Sequence, residues 1–208
     1  MSAIKLIAFD LDGVLVDGRG SWQEVHNALG TMHLSDAHSE EYHCGKITFD
    51  EWAKKDVALW LGIEIEQMRK ILYAAKLMAG AAETMAQLKE KYNLVIISGG
   101  LQLLADRIKD ELGMDDAVAN DFVVRDGRVA GINNFVDFEG KGRILKRLAR
   151  QHGVKTSQCA AIGDYINDIP MFKEAGFSIA FNPKDERVSM YADAVVEGKD
   201  LRGLLRFF

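Results

Sequence analysis

The residues from Phe9 to Gly13 read F-D-L-D-G, so two carboxylates, Asp10 and Asp12, stand one residue apart at the end of the apolar run IKLIAF (4–9). Three other short stretches carry groups suited to an anion: Ser98-Gly99-Gly100, Lys141-Gly142 and G-D-Y-I-N-D at 163–168. Each has an ordinary explanation on its own. An aspartate after a strand often caps a turn, S-G-G serves as a βα turn with an N-cap, a helical lysine is usually solvated, and Asp164 and Asp168 fit loop caps. Taken together, they suit phosphoryl transfer. A carboxylate that attacks phosphorus forms an aspartyl phosphate and divides a difficult hydrolysis into two steps. Asp10, at the strand tip, is the candidate nucleophile. Asp12, on the same turn, is placed to protonate the leaving alkoxide and then deprotonate water. Two aspartates and a phosphate repel one another without a cation, and Mg²⁺ suits few carboxylates with a phosphate oxygen. Asp164 supplies a further carboxylate from another strand end. The Ser98 hydroxyl and the Gly99 amide, expected to open a helix, suit phosphate oxygens, and Lys141 supplies a point charge against developing negative charge.

These groups need a scaffold that brings them to one edge. Near-continuous apolar runs at 4–9, 93–98, 159–163, 177–181 and 193–196 predict strands covered on both faces, hence parallel. Helical patterns at about 80–91, 100–112, 140–152 and 167–175 alternate with them. The expected class is α/β, a Rossmann-like doubly wound parallel sheet. FVVRDGRVAG (122–131) predicts a β-hairpin flap turning at Asp126-Gly127. Residues 14–78 break the alternation, with helical patterns near 21–30, 49–60 and 64–77 and no clear strand. The expected organisation is therefore a catalytic core of 1–13 and 79–208, with 14–78 as a helical cap, or lid. In open α/β sheets the ligand crevice lies beyond the carboxyl ends of the strands, where this insertion begins.

The ordered set D-x-D-G, Ser, Lys and G-D-x-x-N-D resembles the haloacid dehalogenase-like (HAD) hydrolase superfamily over nearly the whole chain. Within it the chain is most similar to the phosphoserine phosphatases, through VIISGG (95–100), V-x-D-G-x-x-x-G (124–131), KGRIL (141–145), GDYINDIPMF (163–172), IAFNPK (179–184) and GKITFDEW (45–52). The resemblance implies Mg²⁺ held by Asp10, the Asp12 carbonyl and Asp164, with Asp168 supporting the metal site. It also implies phosphate contacts from Ser98, Gly99, Lys141 and Asn167, with Asp10 as nucleophile and Asp12 as general acid and base.

The departures bear on the substrate. In phosphoserine phosphatases a glutamate after the paired aspartates meets the serine ammonium, and a cap arginine meets its carboxylate. The matching positions here are Arg19 and Asp56, so acid and base are exchanged. Gly13-Val14 stands where that family usually has a hydroxyl pair, and Tyr165 stands where it usually has glycine, which is expected to crowd the pocket. Phe49, Trp52, Asp56 and Trp60 share one helix face, and an acid inside an aromatic stripe is costly if buried alone. Asp56 is expected either at the stripe's margin, reaching water, or paired with a cation in the lid crevice, Arg19 being one candidate. If Arg19 and Asp56 pair, the contact is structural; if both face the ligand, the substrate carries its charges differently from phosphoserine. His26, His33, His38, His43 and Cys44 lack a standard metal-ligand spacing and read as helix-surface residues. Trp22 reads as packing, and Cys159 as a small core residue.

Composition excludes several classes. Of 208 residues, 48% are apolar and 27% charged, and the net charge of -5 shows no basic face for a nucleic acid. No run of about 18 apolar residues is present, so no membrane span is expected, and the start reads as a strand and not a signal peptide. Two isolated cysteines fit a reducing cytoplasm. The expected function is Mg²⁺-dependent hydrolysis of a small phosphorylated metabolite through an aspartyl phosphate, with altered substrate preference relative to the phosphoserine phosphatases. The alternatives are a true phosphoserine phosphatase, a phosphotransferase using a second alcohol, and a phosphate-binding regulatory protein without turnover. The sequence leaves monomer and homodimer equally open.

Overall fold

The computed structural model describes residues 3–208. Its centre is β1 (Leu6–Phe9), whose four residues are fully buried because both faces of the sheet are covered. Burying a side chain such as Leu6 or Ile7 is worth roughly 1.5–3 kcal/mol. On one side β1 pairs in parallel with β4 (Asn93–Leu101), and on the other with β7 (Cys159–Gly163). β5 (Asp116–Arg125), β6 (Arg128–Asn133), β8 (Phe177–Phe181) and β9 (Ala194–Val196) complete a seven-stranded sheet of order β6-β5-β4-β1-β7-β8-β9. Within this sheet, only the β5–β6 pair is antiparallel among the described residues. The chain steps outward from β1 in both directions, so the switch point of this doubly wound α/β sheet falls at the carboxyl end of β1, where Asp10 lies.

Helices α5 (Ala81–Leu88) and α6 (Gln102–Leu112) bury Met85, Leu104 and Ile108 on one face. Helices α7 (Lys141–Gln151), α8 (Ile169–Glu174) and α9 (Glu186–Tyr191) bury Leu145, Leu148, Met171, Phe172 and Val188 on the other. Among the described residues no helix is long and apolar enough to cross a membrane.

Between β2 (Val16–Asp17) and β3 (Lys76–Leu77) lie α1 (Ser21–Leu29), α2 (Met32–His43), α3 (Phe49–Ala58) and α4 (Ile65–Tyr73). Two details differ from expectation. The insertion does contain strands, since Val16–Asp17 and Lys76–Leu77 pair antiparallel and fasten its two ends together. α2 has no counterpart among the expected helices, because its sequence, MHLSDAHSEEYH, has too few apolar residues to show a period. α3 opens with a capping box in which Thr48 and Glu51 satisfy each other's backbone amides.

The hairpin turns at Asp126 and Gly127, both with positive φ (49° and 71°), as a two-residue turn of this hand requires. It also grips the insertion. Gly62 N–H donates to the Val129 carbonyl, Val129 N–H to that of Ile63, and Ile65 N–H to that of Gly127, each at 2.9 Å. The hairpin thus ties the α3–α4 connection to the sheet edge.

Candidate active site

Asp10 follows β1 directly, its amide donating to the Ile162 carbonyl at 2.9 Å. Its Oδ1 accepts from the Leu11 amide at 2.7 Å and lies 2.8 Å from Lys141 Nζ. Lys141 is fully buried at the start of α7 and reaches Asp168 Oδ1 at 2.6 Å. Burial alone would lower the lysine's affinity for its proton. The carboxylates of Asp10 and Asp168 outweigh that effect and hold it well above its ordinary value, so it is a permanent cation. The second oxygen of Asp168 accepts from the amides of Asp164 and Tyr165, which locks the 163–168 turn around the lysine. A Cβ on Gly163 would lie 2.2 Å from the Asp168 carboxyl carbon, so that position must be glycine for the carboxylate to fold back.

Asp164, after β7, is 1% exposed, and its Oδ1 has no hydrogen-bond partner among the described residues. Lys184 Nζ lies 2.6 Å from its Oδ2. Burial, then the charges of Asp10 and Asp168, push the Asp164 carboxyl up to about 7. Burial likewise pushes Asp168 up to about 6, against the pull of Lys141. Oxygens of Asp10, Asp164 and Asp168 lie within 4.8 Å of one another. An all-oxygen donor set with an orphaned buried carboxylate oxygen and raised acids fits a small hard divalent cation.

Asp12 lies on the cavity side of the turn. Its Oδ2 accepts from Ser21 Oγ at 2.8 Å, and its buried Oδ1 has no partner among the described residues. Burial and the charge of Asp10 raise its carboxyl above the ordinary value, with the Ser21 hydrogen bonds opposing them. Asp12 therefore holds a proton more readily than a free carboxyl does, which suits acid catalysis beside a nucleophile.

Ser98, Gly99 and Gly100 belong to the last residues of β4, and α6 starts only at Gln102. The expectation that Gly99 opens a helix is therefore corrected. A register irregularity between Ile97 and Leu101 lifts this segment off β5. Ser98 Oγ accepts from the Gly100 amide at 2.9 Å, and Asn167 Oδ1 is buried without a partner among the described residues. Asp10, Asp12, Ser98, Gly99, Asp164 and Asn167 all line one cavity of about 380 Å³, whose outer wall comes from the insertion and includes Arg19, Trp22, Trp52 and Asp56. Phe138 and Tyr165 also line it.

Arg19 and Asp56 both line the cavity but do not pair with each other, and Asp56 does not reach water. It is 2% exposed and lies 3.2 Å from His26 Nε2 and 2.7 Å from His38 Nδ1, with Ser35 Oγ at 3.3 Å. The margin reading of Asp56 is thus corrected, and so is Arg19 as its candidate partner; its neighbours are histidines of the same insertion. The surface assignment of His26 is corrected as well. It is fully buried, 4.6 Å from the Trp60 ring, because it shares a helix face with Trp22 and Val25. Arg19 makes no ion pair among the described residues and is exposed. Trp22 packs 5.4 Å from Trp60 and donates its indole N–H to the Gly99 carbonyl at 3.0 Å. Two neighbours of the site carried no role in the sequence reading. Lys184 lies within IAFNPK (179–184), and Ser21 begins α1.

A doubly wound sheet with clustered carboxylates, a buried lysine and a covered cavity at its switch point defines an α/β phosphoryl-transfer enzyme. A family model of haloacid dehalogenase-like hydrolases matches residues 4–176, and the chain belongs to that family. It is 35% identical to the phosphoserine phosphatase of Methanocaldococcus jannaschii over 98% of this chain and 97% of the relative. It is 31% identical to that of Wolinella succinogenes over 97% and 98%. A solved structure described as a phospho-aspartyl intermediate analogue of phosphoserine phosphatase superposes over 100% of both chains, with a TM-score of 0.86 and 34% identity. The chain is accordingly a phosphoric monoester hydrolase resembling the phosphoserine phosphatases.

Proposed function

We propose that the chain hydrolyses a small phosphomonoester through an aspartyl phosphate on Asp10, with residues 14–78 acting as the lid over a core of 1–13 and 79–208. The observation that carries this reading is the convergence of Asp10, Lys141, Asp164 and Asp168 beneath the cavity. An Asp10 oxygen bonds to phosphorus as the bond to the ester oxygen breaks, and the proton on Asp12 passes to that oxygen, releasing the alcohol. Water then attacks phosphorus and gives its proton to Asp12, releasing phosphate and restoring the Asp10 carboxylate. Lys141 holds Asp10 in place and offsets its charge. Ser98, the Gly99 amide and Asn167 hold phosphate oxygens. Asp10, the Asp12 carbonyl and Asp164, braced by Asp168, would hold Mg²⁺, which supplies charge neutralisation at the phosphoryl group.

Phosphoserine is the substrate with most support, since the likeness to phosphoserine phosphatases spans the whole chain. A second reading, a phosphoester charged differently from phosphoserine, is favoured by one observation. The cavity wall carries Arg19, which makes no ion pair among the described residues, while the Asp56 carboxyl lies 3.2 Å from His26 and 2.7 Å from His38. Two free cysteines, Cys44 and Cys159, support a reducing, cytoplasmic setting. The test is kcat/KM over a panel of phosphorylated metabolites with Mg²⁺. Phosphoserine exceeding every other ester establishes the first reading. An ester without an ammonium group exceeding phosphoserine by more than about tenfold, 1.4 kcal/mol of transition-state discrimination, establishes the second. No phosphate release from any ester overturns both.

A further inference from the structure

The turn after β1 lacks a hydroxyl of its own at positions 13 and 14, where glycine and valine stand. The catalytic-acid candidate nevertheless has a hydroxyl partner, and it comes from the insertion. Ser21, the first residue of α1, is 1% exposed and donates from Oγ to Asp12 Oδ2 at 2.8 Å. The same oxygen accepts the Leu101 amide at 3.1 Å. That second contact occupies one of the hydroxyl's two lone pairs and fixes Ser21 Oγ between the Leu101 amide and the carboxylate.

Ser21 engages Oδ2, so the carboxylate oxygen left free to act on the ester is Oδ1, the buried oxygen with no partner among the described residues. Space for the arrangement is made at Gly100, where a Cβ would lie 2.5 Å from both Asp12 Oδ2 and Ser21 Oγ. Trp22 anchors the same helical turn to the Gly99 carbonyl at 3.0 Å. Two successive residues of α1 thus meet the acid and the phosphate-side loop together.

We propose that Ser21 is a positioning residue for Asp12. Its hydroxyl engages Oδ2, fixes the carboxyl's orientation and leaves Oδ1 free for proton transfer, and does so only while α1 is docked, so the insertion completes the general acid as well as covering the cavity. The inference rests on Asp12 acting as the acid in the proposed hydrolysis.

The test is single-turnover, quenched-flow measurement of alcohol release from an alkyl phosphate and from p-nitrophenyl phosphate, whose leaving group needs no proton. Ser21→Ala is expected to slow the alkyl ester by about tenfold or more, while p-nitrophenol release changes by less than about threefold. KM should stay near the wild-type value, and Ser21→Thr, which keeps the hydroxyl, should restore most of the rate. Equal losses on both esters, or no loss on the alkyl ester, overturn the positioning role, as does a folded Ser21→Thr as slow as Ser21→Ala. Asp12→Asn separates the two levels. If it leaves alkyl-ester turnover intact, the reading of Asp12 has failed; if it abolishes turnover while Ser21→Ala is normal, only the role of Ser21 has failed.

Discussion

Asp56 shows how one substituted residue reorganises its surroundings. A carboxylate this deeply buried requires partners, and the chain supplies them from two other helices, His26 from α1 and His38 from α2. The acid therefore cross-links three helices of the insertion, whatever it contributes to the ligand. Asp56→Asn keeps the shape but loses acceptor contacts to His38 and Ser35 in a buried setting, which costs about 1–3 kcal/mol. In a chain of this size that corresponds to a fall in Tm of roughly 3–10 °C, measured by differential scanning calorimetry without ligand. An unchanged Tm would mean that Asp56 faces the substrate and has no structural role.

At the scale of elements, the core was legible because its signals are local. A short, wholly apolar run such as 4–9 has few other uses, and Asp126-Gly127 specifies a tight hairpin turn. The candidate site was legible for the same reason: Asp10, Asp12, Lys141, Asp164 and Asp168 sit at the ends of clearly patterned elements, and the sheet's winding brings those ends together. The insertion was less legible. α2 is held by tertiary contacts and a buried Ser35, not by an apolar stripe, so its pattern is silent. His26 was misassigned because imidazole has no fixed preference for surface or core, and the deciding neighbour, Trp60, lies far along the chain. Ser21 was not singled out because a lone serine at the start of a helix carries no signal in sequence. Its contact with Asp12 appears only once α1 is folded against β4.

For the whole molecule, the central cluster links stability to pH and to metal. Asp164 and Asp168 are held above the ordinary carboxyl value of 3.8, to about 7 and about 6. Between 3.8 and about 7 the metal-free folded state binds more protons than the unfolded chain, so these groups make stability fall as pH rises through that window. A divalent cation replaces those protons and should reverse the loss. The rise in Tm on adding Mg²⁺ should therefore be larger at about pH 8 than at about pH 5, with EDTA-treated protein as reference. A shift that is equal at both pH values would place the metal away from these carboxylates.

The proposed mechanism requires Asp10 to become phosphorylated during turnover. Its most direct test is mass spectrometry of peptides from enzyme quenched in acid during hydrolysis of a phosphoester in the presence of Mg²⁺. The prediction is a phosphoryl adduct on Asp10 that appears with substrate and is absent from Asp10→Asn, which should also have lost turnover. Full turnover in Asp10→Asn, or an adduct confined to another residue, would contradict it.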